Sequence, residues 1–170
     1  MASRMRGEHP PGKNRMAESA QYTILVVDDE ELIRNLIVTL LSKSGHASIT
    51  AVDGVDALDR MKGNQIDAVI TDIKMPNMDG VALTVEILKR YPGLPILVMT
   101  AFGEEYTAGA AIAAGAREYI KKPFSPDEFF AQLQKMIKDS ETIKRLKSEK
   151  IVDENVQDLI DELKATIKED

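Results

Sequence analysis

From Tyr22 onward the chain alternates short apolar runs with longer amphipathic stretches. The runs cover residues 22–27, 46–51, 68–71, 96–99 and 118–120. Each is too short for a helix and most are rich in β-branched residues, so they predict five strands. Between them apolar residues recur at helical spacing, as in Leu32, Leu36, Ile37, Leu40 and Leu41, or Val81, Val85, Ile87 and Leu88. Those patterns predict helices of roughly ten residues. Strand alternating with helix predicts an α/β fold, a doubly wound parallel sheet with right-handed crossovers and helices on both faces. Turn signals fall between the runs: Ser44-Gly45, Asp53-Gly54, Gly63-Asn64, Asp79-Gly80, Tyr91-Pro92-Gly93 and Gly115.

The flanks read differently. Residues 1–20 contain Gly7, Pro10, Pro11 and Gly12, four basic and two acidic residues, and no hydrophobic period. They are expected to be a disordered tail or leader, apart from the fold. Beyond Pro126 neither glycine nor proline occurs, which predicts nearly continuous helix to Asp170. Phe129, Phe130, Leu133, Met136 and Ile137 form the stripe of a last core-facing helix, closing a globular domain over residues 21–139. Residues 140–170 form a helical extension, whose apolar positions from Val152 to Ile167 could belong to a separate helix. At 1.5 Å per residue the stretch from Glu141 would be about 45 Å long, so it needs a partner surface.

Composition narrows the chemistry. Of 170 residues none is cysteine or tryptophan and two are histidine, His9 and His46, far apart in sequence. Thiolate zinc sites, disulfides, cysteine nucleophiles and histidine relays are thereby excluded or disfavoured, and a cytoplasmic location is expected. With 22 Lys plus Arg against 28 Asp plus Glu, the net charge of −6 argues against binding nucleic acid directly. No apolar run is long enough to span a bilayer, so no membrane association is expected.

In open parallel sheets, ligands bind at the carboxyl ends of the strands. Those ends here are Asp28-Asp29-Glu30, Asp72, Thr100-Ala101 and Lys121-Lys122-Pro123. Phosphate-binding folds place glycines after the first strand, whereas VVDDEE repels phosphate and attracts a cation, with hard oxygens suited to Mg²⁺. A plainer reading makes Asp28 or Asp29 a cap of the following helix, Asp72 a turn residue and Lys122 a solvated amine. A trio of carboxylates at one rim, however, requires a metal or a lysine to neutralise it, and Lys122 is the candidate.

These residues resemble the receiver domains of two-component response regulators over about residues 22–139. The match rests on Asp28-Asp29, Asp72 within DIKMPNMDG, Thr100 in VMTA, Tyr119, and Lys122-Pro123 in KKPF. The stretch MTAFGEEYTAGAAIAAGAREYIKKPF is most similar to receivers of the nitrogen-regulation type. The resemblance implies a flavodoxin-like strand order, 2-1-3-4-5, and a phosphoacceptor role for Asp72. It implies Mg²⁺ held by Asp28, Asp29, Asp72 and the backbone carbonyl of Lys74, with Asp28 acting largely through water. The phosphoryl-binding and switch set would be Thr100, Lys122, Tyr119 and Ala101. Implied partners are a histidine kinase or histidine phosphotransfer protein, and a downstream protein or second copy. That output contact would use the fourth helix, fifth strand and fifth helix, or the C-terminal helix. In the family the Lys122-Pro123 peptide is often cis, and Gly80 is expected to adopt a backbone conformation other residues resist.

Other readings fit less well. A haloacid-dehalogenase-type phosphatase wants Asp-x-Asp after the first strand, and a histidine kinase wants an ATP-binding pattern; neither is present. The chain is therefore not expected to be an enzyme. The stronger alternative is a phosphorylation-independent scaffold acting through the C-terminal helix. Residues 127–170 carry 8 basic and 12 acidic side chains, a poor match to DNA and a fair one to protein.

Overall fold

The computed structural model describes residues 21–101, 103 and 105–167, so the expectation for residues 1–20 lies outside the described residues. Strands and helices alternate as β1 (Thr23–Val27), α1 (Glu31–Lys43), β2 (Ala47–Ala51), α2 (Gly54–Lys62), β3 (Ala68–Asp72), α3 (Gly80–Arg90), β4 (Ile96–Thr100), α4 (Glu105–Ala113), β5 (Glu118–Lys121) and α5 (Pro126–Ile167). Each strand lies within a residue of its expected bounds. The sheet order is β2-β1-β3-β4-β5, and every neighbouring pair is parallel. The winding reverses between β1 and β3, which opens a crevice at their carboxyl ends.

Side chains alternate across each strand, so the sheet divides its apolar residues between two cores. Leu25, Val27, Val69, Ile96 and Val98 face α2, α3 and α4. Ile24, Val26, Ile70, Leu97 and Met99 face α1 and α5. The three central strands are buried on both faces, hence their unbroken apolar runs. The helices are anchored unequally. α1 contributes Ile37, Leu40 and Leu41 and α5 contributes Phe129, Leu133 and Met136, whereas among the described residues the buried anchors of α4 are Ala108 and Ala111.

α5 is a single 42-residue helix, not two. The polar residues Ser140, Lys147 and Lys150 interrupt the apolar stripe without ending the helix, since nothing there breaks the backbone ladder. At 1.5 Å per residue it is about 63 Å long. Burial along α5 reaches Ser140, and Ile143 is half-buried. Farther along, Leu146, Ile151, Val156 and Leu159 are exposed. The point of departure is bolted to the sheet: the Tyr22 hydroxyl donates to Glu141, and the Tyr22 ring meets His46 edge-on at 5.5 Å. A groove of about 700 Å³ between the end of α1 and α5 opens at this rim, away from the carboxyl ends of the strands.

Candidate phosphoacceptor and metal site

β1 ends into Asp28 and Asp29, and β3 ends on Asp72. Asp28 is fully buried, Asp72 nearly so, and Asp29 is exposed. Capping of α1 does not explain the pair, because the cap position is Glu30, whose own side chain makes no capping bond. Instead, Asp28 Oδ1 accepts from the Glu30 N–H at 2.8 Å, and its Oδ2 accepts from Lys122 Nζ at 2.9 Å. Arg34 reaches back from α1 to donate to the Asp28 carbonyl at 2.6 Å.

Lys122 follows β5 directly, and its N–H donates to the Thr100 carbonyl at 2.7 Å, so β4 sets where its side chain starts. Its ammonium lies 3.1 Å from Asp72 Oδ1 as well as against Asp28, and bridges the two buried carboxylates. The Lys122-Pro123 peptide bond is cis. The neighbouring Lys121 is exposed.

One carboxylate oxygen from each of Asp28, Asp29 and Asp72 lies within 4.8 Å of the others. Burial pushes the Asp72 carboxyl up to about 6, with Lys122 opposing and the Asp28 charge adding to the rise. Burial alone would lower the Lys122 pKa, but the bond to Asp28 and the charges of Asp72 and Asp28 outweigh it, and the net shift is upward. The Lys122 ammonium thus pairs with two of the three clustered carboxylates. Burial is the main cause of the raised Asp72 pKa and the Asp28 charge a lesser one; hard oxygen donors at this spacing suit Mg²⁺.

Thr100, at the end of β4, is buried beside this cluster. Behind it lies a cavity of about 280 Å³ lined by Thr100, Ala108, Gly109, Ile112, Tyr119 and Lys121. Tyr119 stands at its edge, 44% exposed. Ala101 is exposed after β4, and Lys74 is exposed in the β3–α3 connection, two residues past Asp72. Tyr119 lies within β5, and the other expected site residues gather at one rim, on the ends of β3 and β4 or in the segments that follow β1, β3, β4 and β5.

The reason for Gly80 differs from expectation. Its φ is not positive; the residue of this connection in the left-handed region is Asn77, at φ 65°. Gly80 is needed because a Cβ there would lie 2.1 Å from the Asp72 carbonyl oxygen. The Gly80 N–H also donates to the Ile73 carbonyl at 2.8 Å, clamping α3 against the acceptor strand. Sequence reasoning does not single out Arg34 or Asp53, and reads Asn77 only as part of a turn motif. Asp53-Gly54 ahead of a helical run is a capping signature that marks Asp53 as a fixed carboxylate. Its bond to Asn77 has no sequence signal.

The family description "Response regulator receiver domain" matches residues 24–134. The alkaline phosphatase synthesis transcriptional regulatory protein PhoP of Bacillus subtilis is 37% identical over 118 residues, covering 69% of this chain and 49% of that protein. The DNA-binding transcriptional regulator NtrC of Escherichia coli is 36% identical over 114 residues, covering 67% of this chain and 24% of that protein. The chain thus spans about half or less of these relatives. Among solved structures, NtrX from Brucella abortus superposes with a TM-score of 0.73 at 34% identity, covering 76% of this chain and 29% of that one. The receiver domain of the same protein gives 0.65 at 38% identity, covering 68% and 98%. With its parallel sheet and the matched span, the chain belongs to the response regulator receiver domain family.

Proposed function

We propose that the chain accepts a phosphoryl group on Asp72 from a phosphohistidine of a histidine kinase or phosphotransfer protein, in the presence of Mg²⁺. The observation that carries this reading is the convergence of Asp28, Asp29 and Asp72 within 4.8 Å, bridged by Lys122. The ionised Asp72 oxygen attacks phosphorus, the P–N bond to the donor imidazole breaks, and the imidazole leaves with the bonding electron pair. The product is an acyl phosphate. Such in-line transfer needs positioning and charge neutralisation more than a proton shuttle. Asp28, Asp29, Asp72 and the Lys74 carbonyl would hold Mg²⁺, which neutralises charge on the transferring oxygens. Lys122 pairs with one phosphoryl oxygen, and Thr100 donates its hydroxyl to another.

The charge added at Asp72 draws Thr100 toward it and enlarges the cavity behind, which Tyr119 enters from its exposed position. Ala101 follows Thr100 and leaves room at the phosphoryl group. The readout is a shift between two packings of α4, β5 and α5, favoured by the small size of the α4 anchors Ala108 and Ala111. This altered face, or the exposed positions of α5, contacts a downstream protein or a second copy. The family is generally one of non-enzymatic signalling proteins, and we read the chain as a cytoplasmic regulator. Among the described residues no helix is long and apolar enough to cross a membrane.

The names of two relatives attach transcription or DNA binding to proteins at least twice as long as the matched stretch. This is at odds with an expectation of no nucleic-acid contact, which rested on the acidic balance of these residues and extends to nothing beyond them. The test of phosphoacceptance is intact mass after incubation with a small-molecule phosphodonor and Mg²⁺. One added phosphoryl group is expected, absent with chelator and in Asp72→Asn. No addition under conditions that modify a known receiver would leave the scaffold reading, with α5 as its binding element.

A further inference from the structure

The segment that carries Lys74 is held at both ends. At its base Gly80 locks against Ile73 and Asp72. At its tip it is tied to the β2–α2 corner, more than twenty residues earlier in the chain. Asp53, buried at that corner, uses one carboxylate oxygen to cap α2, accepting the Asp56 N–H at 2.8 Å. The other oxygen accepts the Asn77 side-chain amide at 2.7 Å.

Two further contacts close the junction. The Gly54 N–H donates to the Met78 carbonyl at 3.2 Å, and a Cβ on Gly54 would lie within 2.6–2.8 Å of Met78. Asn77 itself sits at φ 65°, with the Met78 N–H donating to the Pro76 carbonyl across it at 2.7 Å. That is a tight three-residue turn of a rare and strained kind, which persists only when its surroundings hold it. Capping of α2 needs one oxygen of Asp53. Its second oxygen is spent on the acceptor connection.

We propose that Asp53, acting through Asn77, is a positioning residue for Mg²⁺ binding: it fixes the connection between β3 and α3, and with it the Lys74 carbonyl, relative to Asp72. This rests on the metal and acceptor reading above. Partners that orient metal ligands from behind typically contribute 10- to 100-fold in metal affinity, so a loss of about tenfold is expected.

The experiment is a calorimetric Mg²⁺ titration of the full chain, alongside thermal melts. Asp53→Ser retains an oxygen to cap α2 but cannot also reach Asn77, and Asn77→Asp sets two carboxylates against each other. Each should weaken Mg²⁺ binding about tenfold. Asp53→Asn combined with Asn77→Asp reverses donor and acceptor at constant charge, and should return the affinity to within about twofold of wild type. Wild-type affinity in both single variants, with only the melting temperature lowered, would overturn the proposal and make the pair a structural cap. Failure of the exchanged pair to recover affinity while melting like wild type would overturn it equally. Absence of any Mg²⁺ heat in wild type would instead overturn the metal reading, and this proposal with it.

Discussion

At the scale of single residues the site is an imbalance of charge held in a buried place. Asp72 takes up its proton near 6 in the folded protein against an ordinary 3.8, so between those values the folded chain holds the extra proton. Its contribution to stability is full below the ordinary value and is lost as pH rises through about 6. Asp72→Asn removes that loss. In metal-free solution the variant should melt with wild type near the acid end of this window and several degrees above it at neutral pH. Mg²⁺ should close the gap by raising wild type alone. Melts across pH with chelator or Mg²⁺ check this, and a gap that did not change with pH would mean Asp72 is not the group that titrates. Gly80 makes a second residue-scale case. In Gly80→Ala the new methyl group meets the backbone carbonyl of Asp72, which no rotamer change relieves. A loss of about 1–3 kcal/mol in urea denaturation is expected, the usual range for overpacking.

At the scale of elements, what the chain shows in advance follows from how local each signal is. β1, β3 and β4 are legible because a strand buried on both faces must be apolar at successive positions. The carboxylates, Thr100 and Lys122 are legible because they directly end or follow such strands. The Asp53–Asn77 bond is not, since each residue alone reads as a cap or turn and 24 positions separate them. Nor is the Tyr22–Glu141 contact, across 119 positions. The absence of glycine and proline marks α5 correctly as helix, while its broken stripe wrongly suggests a pair of helices, because polar residues end an apolar stripe without ending a helix. The same helix predicts a contrast. Phe129 is fully buried against the sheet, and Phe129→Ala should cost about 3–5 kcal/mol in denaturant unfolding. Leu159 is 56% exposed, so Leu159→Ala in dilute protein should stay within about 0.5 kcal/mol of wild type.

At the scale of the whole molecule the question is what the outer part of α5 is for. Turning 100° per residue, Val156 falls on the opposite side of the helix from the buried Phe129, Leu133, Met136 and Ser140, Leu159 lies more than a quarter-turn from the middle of that face, and Ile151 shares their side but is exposed. The helix therefore cannot turn Val156 and Leu159 onto the domain that holds its other face, and we expect a second chain to cover them. Self-association should weaken sharply when the chain is ended after Thr142, which keeps Glu141 and its bond to Tyr22 and so keeps the root of α5 in place. Sedimentation over a range of concentrations should show dimer for the full chain and monomer for the shortened one, with the melting temperature of the dilute domain little changed. If both forms sediment as monomers, the exposed stripe belongs to a different protein. If both are dimers, association resides on the domain's own faces, and the α4, β5 and α5 surface becomes the place to mutate next.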